Sequence, residues 1–108
     1  MNFEEYQQEA VKTAIYGLGI KISYPALGLA GEAGEVCNKV KKIFRDNEGV
    51  VSEEKKADLS AEIGDVLWYC AALAKDLDLN LEDIAKANIA KLHARHNAGT
   101  IQGSGDNR

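Results

Sequence analysis

Aromatic residues are scarce in this 108-residue chain: one tryptophan, two phenylalanines and four tyrosines. Proline occurs once, at Pro25, and cysteine twice. With Leu, Ile, Val and Ala plentiful, that balance favours an all-helical protein. No apolar run approaches the roughly 18 residues of a membrane span. The opening MNFEEYQQEA lacks the charged-then-apolar pattern of a signal segment. The expectation is a cytoplasmic protein without a membrane partner. Basic blocks are absent and the formal net charge is −4, which argues against a nucleic-acid polymer as partner. Cys37 and Cys70 have no metal-type spacing. They read as two small buried thiols in a reducing compartment.

What remains is enough for one domain and not two. Four helices are legible, over roughly 3–17, 25–45, 52–77 and 81–98. Asn2, with Glu5 three residues on, opens the first. Gly17 and Gly19 close it. Pro25 suits the first turn of the second. Ser52 opens the third, and Asn80, with Asp83 behind it, the fourth. Gly99 ends the fourth. The tail from 99 to 108, GTIQGSGDNR, is polar and glycine-rich and is expected to be flexible, leaving 1–98 as the folded domain. Leu29, Ala33, Val36, Val40 and Ile43 form an apolar seam, and so do Leu59, Ile63, Val66, Cys70, Leu73 and Leu77. Both step by three and four, the pattern of helices packed lengthwise. Short links favour antiparallel neighbours, so the expected architecture is an antiparallel four-helix bundle.

The stretch LGLAGEAGEV puts glycines at 28, 31 and 34 inside a helix, although each costs about 1 kcal/mol relative to alanine. It also carries Glu32 and Glu35. Each of these precedes a seam residue by one position, and so do Glu62 and Asp65 on the third helix. If the two helices pair antiparallel, the like flanks face each other and the four carboxylates gather. Taken alone, Glu32 and Glu35 resemble any solvated helix face, and Glu35 has Lys39 four residues on as a partner. The third helix tips the balance. From Ala61 to Ala74, AEIGDVLWYCAALA, Glu62 and Asp65 are the only charges. Acids on so apolar a helix need protons or a cation. An all-carboxylate site suits Mg²⁺, with Mn²⁺ as the alternative. Gly31, Gly34 and Gly64 stand beside these acids, where small residues would leave room for metal, water and phosphate.

No Glu-x-x-His pair exists, so the carboxylate-histidine di-iron bundle is excluded. No His-Asp dipeptide exists either. Redox-inert chemistry on phosphate chains remains. Glu32-x-x-Glu35, 26 residues, then Glu62-x-x-Asp65 resembles the signature of the MazG-like all-α nucleoside triphosphate pyrophosphohydrolases. YPALGLAGEAGEVCNKVKK, LSAEIGDVLWYCAALA and ANIAKLHARH are close to family form. The resemblance spans about residues 3 to 97. It implies Mg²⁺-dependent cleavage between the α and β phosphates, giving a nucleoside monophosphate and pyrophosphate. It also implies that Glu32, Glu35, Glu62 and Asp65 hold the metal and carry catalysis. Lys91 and Arg95 would hold phosphates, and Asn88 would contact substrate. A homodimer or homotetramer is implied, with sites near subunit contacts. The residues agree in part. Asn88, Lys91 and Arg95 share one helix face, and Arg95 suits a bidentate grip on oxygens. Tyr69, on the Asp65 stripe, and Trp68 are candidates for substrate hydrogen bonding and base stacking, against a core role for both. Lys39 extends the acidic stripe towards a phosphate. Lys42, His93 and His96 read as surface residues. The same residues also suit a regulatory sensor that binds Mg²⁺-nucleotide without turnover.

Overall fold

Helix α1 is Phe3–Ala10, followed by a 3-10 turn at Val11–Thr13. It stops well short of the expected end at residue 17. The cause is a competition for one carbonyl. The Ala10 carbonyl accepts from the Trp68 indole Nε1 (3.1 Å) and from the Thr13 hydroxyl (2.7 Å), while the Ala14 amide turns to Val11 instead. The chain then leaves the helix and reaches α2 through a second 3-10 turn, Leu18–Ile20.

The structure, a computed structural model, describes all 108 residues. Its other helices are α2 (Ser23–Asn47), α3 (Glu53–Asp76) and α4 (Leu81–Ala98), and no strand is present. Pro25 falls in the first turn of α2, where its missing N–H costs nothing. Ser52 caps α3 by accepting from the Lys55 amide, and Asn80 caps α4 by accepting from the Glu82 and Asp83 amides. Gly99 closes α4 at φ +72°, a left-handed conformation suited to glycine.

Helices α2 and α3 pair lengthwise and antiparallel. Helix α1 lies across the second half of α3 and the start of α4. Gln7 is the joint: its amide donates to the Ala71 and Leu79 carbonyls, and its Oε1 accepts from the Leu81 amide. Around it the chain reaches its tightest packing, with Ala71, Ala72 and Ala74 of α3 and Leu81 of α4 buried.

The all-α class and the four helices are as the pattern predicts, but within one chain the bundle stays open. Helix α4 touches α3 only sparsely and makes no extensive contact with α2. The radius of gyration is 16.6 Å, where a compact chain of this length has about 13 Å. Helix α3 is therefore not buried on most sides. The seam also breaks beside the acids. Ala33 is exposed and Ile63 is 60% exposed, while Glu32 and Glu62 are half-buried between the helices. Straight helices drift relative to a 3.5-residue repeat, so at this level the acids, one position earlier, face the partner helix. Cys37 is exposed rather than buried, and Cys70 is half-buried with its thiol pushed up in pKa by that burial.

Candidate functional site

Glu32 on α2 meets Glu62 and Asp65 on α3. One carboxylate oxygen from each lies within 4.8 Å of the others. Antiparallel pairing of the two helices brings them together, and the spacing of three places Glu62 and Asp65 on one face. Glu35 is not part of this cluster; it is exposed, about one turn farther along α2.

The electrostatics record crowding. Glu32 is held above the usual carboxylate range, first by its hydrogen bond with Glu62, then by burial and by repulsion from Glu62, Asp65 and Glu35. Glu62 is held below that range by the same hydrogen bond and by Lys39. Lys39 Nζ lies 3.1 Å from Glu62 Oε1. Glu62 Oε2, by contrast, is buried with no donor assigned to it. Lys39 and the Glu32–Glu62 hydrogen bond thus offset only part of the charge that three converging carboxylates carry. Lys39 pairs across the helices with Glu62, not along its own helix with Glu35.

A cavity of about 350 Å³ opens beside the acids, walled by Glu32, Asp65, Trp68 and Tyr69. Both aromatic residues are fixed. The Trp68 indole donates to the Ala10 carbonyl and to Thr13 Oγ1 (2.8 Å), so the end of α1 sets its plane. Tyr69 stands edge-on to Trp68, ring centroids 5.0 Å apart, and leans on Tyr24, which stacks on Tyr16 at 4.5 Å. Gly28 lets the Tyr69 ring come this close to α2, because a Cβ there would lie 2.1 Å from a ring carbon. Gly31, Gly34 and Gly64 face open space, so the close approach belongs to the first glycine of LGLAGEAGEV and not to those beside the acids.

The supports behind this wall gave no signal in the sequence. Asp76, at the end of α3, accepts from the Tyr16 hydroxyl (2.7 Å) and from the Ile22 amide (2.9 Å). Ile22 sits at φ +70°, ψ −55°, and the Ser23 amide bonds back to Lys21, which makes a strained γ-turn. These residues are far apart in the chain and carry no motif. Only the fold shows that one carboxylate anchors the loop that carries the tyrosine stack.

Asn88, Lys91 and Arg95 lie along α4, with Asn88 exposed. None lines the aromatic cavity. Lys91 and Arg95 line a separate one of about 370 Å³ that shares no residue with it. His93 and His96 are exposed.

A family model for the MazG nucleotide pyrophosphohydrolase domain matches residues 24–100. The chain belongs to that family. The match begins in the first turn of α2 and ends just past the cap of α4, so the MazG region contains every acid of the cluster as well as Lys91 and Arg95. Helix α1, which fixes Trp68, and the last eight residues lie outside the matched region. The Gene 37 protein of Mycobacterium phage L5 is 51% identical over 114 aligned positions, covering the whole of both chains. No solved structure matches the chain. No helix is long and apolar enough to cross a membrane.

Proposed function

We propose that this MazG-family chain is a Mg²⁺-dependent pyrophosphohydrolase that cleaves nucleoside triphosphates between the α and β phosphates. Its products are a nucleoside monophosphate and pyrophosphate. The observation that carries the reading is the convergence of Glu32, Glu62 and Asp65 beside an aromatic-walled cavity.

The donor set fits the ion. It is all oxygen and all carboxylate, as Mg²⁺ prefers, with Mn²⁺ the natural substitute. The undonated Glu62 Oε2 and the upward push on the Glu32 carboxyl from its acidic neighbours mark where positive charge is wanting. Glu32, Glu62 and Asp65 would hold the metal, with Glu35 adjacent on α2. Bound there, the ion supplies charge neutralisation and Lewis-acid polarisation of the phosphates. Glu35, apart from the cluster, takes the proton of the attacking water. Lys39 relinquishes Glu62 and turns to a phosphate oxygen. Trp68 and Tyr69 accept the base by stacking, their planes already set by α1 and by the tyrosine stack. Asn88, Lys91 and Arg95 bind the phosphate chain and the departing pyrophosphate. Their place on α4, with Lys91 and Arg95 in a cavity separate from the acids of the same chain, suits a homodimer or homotetramer, in which α4 of one copy approaches the acids of another. Removal of unwanted nucleotides from a cytoplasmic pool is the corresponding physiological role.

The test is incubation with a panel of nucleoside triphosphates and Mg²⁺. Pyrophosphate with a monophosphate is expected. Orthophosphate with a diphosphate would overturn the bond assignment, and tight binding without turnover would replace the enzyme by a sensor. Glu62→Gln should lower turnover by at least ~10²-fold, since even the outer partners of metal ligands are worth 10–100-fold. It should also abolish the rise in melting temperature that Mg²⁺ gives the native protein.

A further inference from the structure

Residues 99–108, expected to carry no fixed structure, curl back on the end of α4. Arg108 donates to the carbonyls of Thr100, Ile101 and Gly105, which closes the segment into a loop. The loop brings Asp106 onto α4. Asp106 Oδ1 lies 2.7 Å from Lys91 Nζ and 3.0 Å from Arg95 Nη2, and the Asp106 carbonyl also accepts from Arg95 Nη2.

Three features mark this as a built anion site rather than a stray surface contact. Lys91 and Arg95 are four residues apart, on one face of α4, and converge on a single carboxylate oxygen. The Arg95 side chain is only 8% exposed, and its Nε is buried without an acceptor. A buried guanidinium with an unused N–H has room for more acceptor oxygens than one carboxylate supplies. The cavity around the pair, about 370 Å³, is walled by Asp106, Asn107 and Arg108 together with α4. Asp106 in turn is held below the usual carboxylate range by Lys91 and then by Arg95.

We propose that Lys91 and Arg95 form a preorganised site for a phosphate chain, and that Asp106 of the same chain fills it as an internal competitor. The carboxylate satisfies the two cations in the resting protein, and a polyphosphate must displace it to bind. The proposal rests on the reading of Lys91 and Arg95 as the phosphate-holding pair, and it names the regulation of that site. Asp106 lies beyond the residues that match the MazG family, so the competitor is an addition to the shared domain. It acts on affinity and not on chemistry. If the loop is closed nine-tenths of the time, apparent affinity is about tenfold weaker than that of the open site.

The experiment measures binding of inorganic tripolyphosphate by calorimetry, without metal, to the full chain and to Asp106→Asn and Asp106→Ala. Asp83→Asn, an exposed acid at the other end of α4, controls for net charge. Both Asp106 variants should bind about tenfold tighter, with Asp83→Asn unchanged. In turnover, KM should fall by the same factor at constant kcat. Unchanged affinity in both Asp106 variants, or an equal gain in Asp83→Asn, would overturn the proposal, and a lower melting temperature alone would mean a purely structural loop. Tighter tripolyphosphate binding in a protein that releases no pyrophosphate would uphold the competitor and defeat the hydrolase reading, so the two fail separately.

Discussion

At the scale of the residue, glycine shows how far local sequence can be read. The glycines at 28, 31 and 34 are alike in spacing and in helical cost, and the sequence offers no way to rank them. The structure does. Only Gly28 has a neighbour in the way, the Tyr69 ring. Gly28→Ala should therefore push Tyr69 off its place. Overpacking of this kind costs roughly 1–3 kcal/mol, against a helix-propensity gain of about 1 kcal/mol. Gly31→Ala and Gly34→Ala meet open space and should gain about 1 kcal/mol each from the same propensity. Urea denaturation of the three variants checks this. A Gly28→Ala protein as stable as the other two would show that the ring moves freely. The acids tell a complementary story. Three of the four converge as their spacing predicts. Glu35 stays outside because the fit of seam to seam, which decides which acids meet, depends on helix drift that no single residue encodes.

At the scale of the element, the helix ends were legible wherever a cap was written locally, as at Asn2, Ser52, Asn80 and Gly99. The end of α1 was not, because the Ala10 carbonyl is claimed by a tryptophan 58 residues away. The loop between α1 and α2 is likewise held from a distance, by Asp76. Its bond from Tyr16 has a titratable signature. Burial first, then the hydrogen bond to Asp76, raises the Tyr16 hydroxyl from 10.0 to about 12. Between those values the folded protein keeps a proton that the unfolded chain has lost. Stability from this group is thus complete below pH 10 and is lost as pH rises towards 12. The urea midpoint should fall across that window, and Tyr16→Phe should flatten the fall. An equal slope in both proteins would remove Tyr16 as its source.

At the scale of the whole molecule, surface and size disagree. A folded monomer of 11.7 kDa exposes about 5,900 Å², whereas this chain exposes 7586 Å². The excess, roughly 1,700 Å² per chain, comfortably exceeds the ~800 Å² that each partner contributes to a standard interface. Exposed apolar side chains such as Ile63 on α3 and Ile89 and Leu92 on α4 lie on that surface. An assembled form should appear in sedimentation analysis, and the melting temperature should rise with protein concentration. A chain that sediments as a monomer at all concentrations, with an invariant melting point, would contradict assembly. The apolar seams announced this need without saying how it would be met, since the same pattern serves a closed bundle and an open one that closes against a second copy. One fixed side chain makes the site unusually easy to watch. Trp68 is the only indole in the protein, it is tethered to α1, and it walls the cavity beside the acids. Its fluorescence is therefore a site-specific optical reporter that needs no label, with emission colour following the tether to α1 and quenching following whatever stacks against its face.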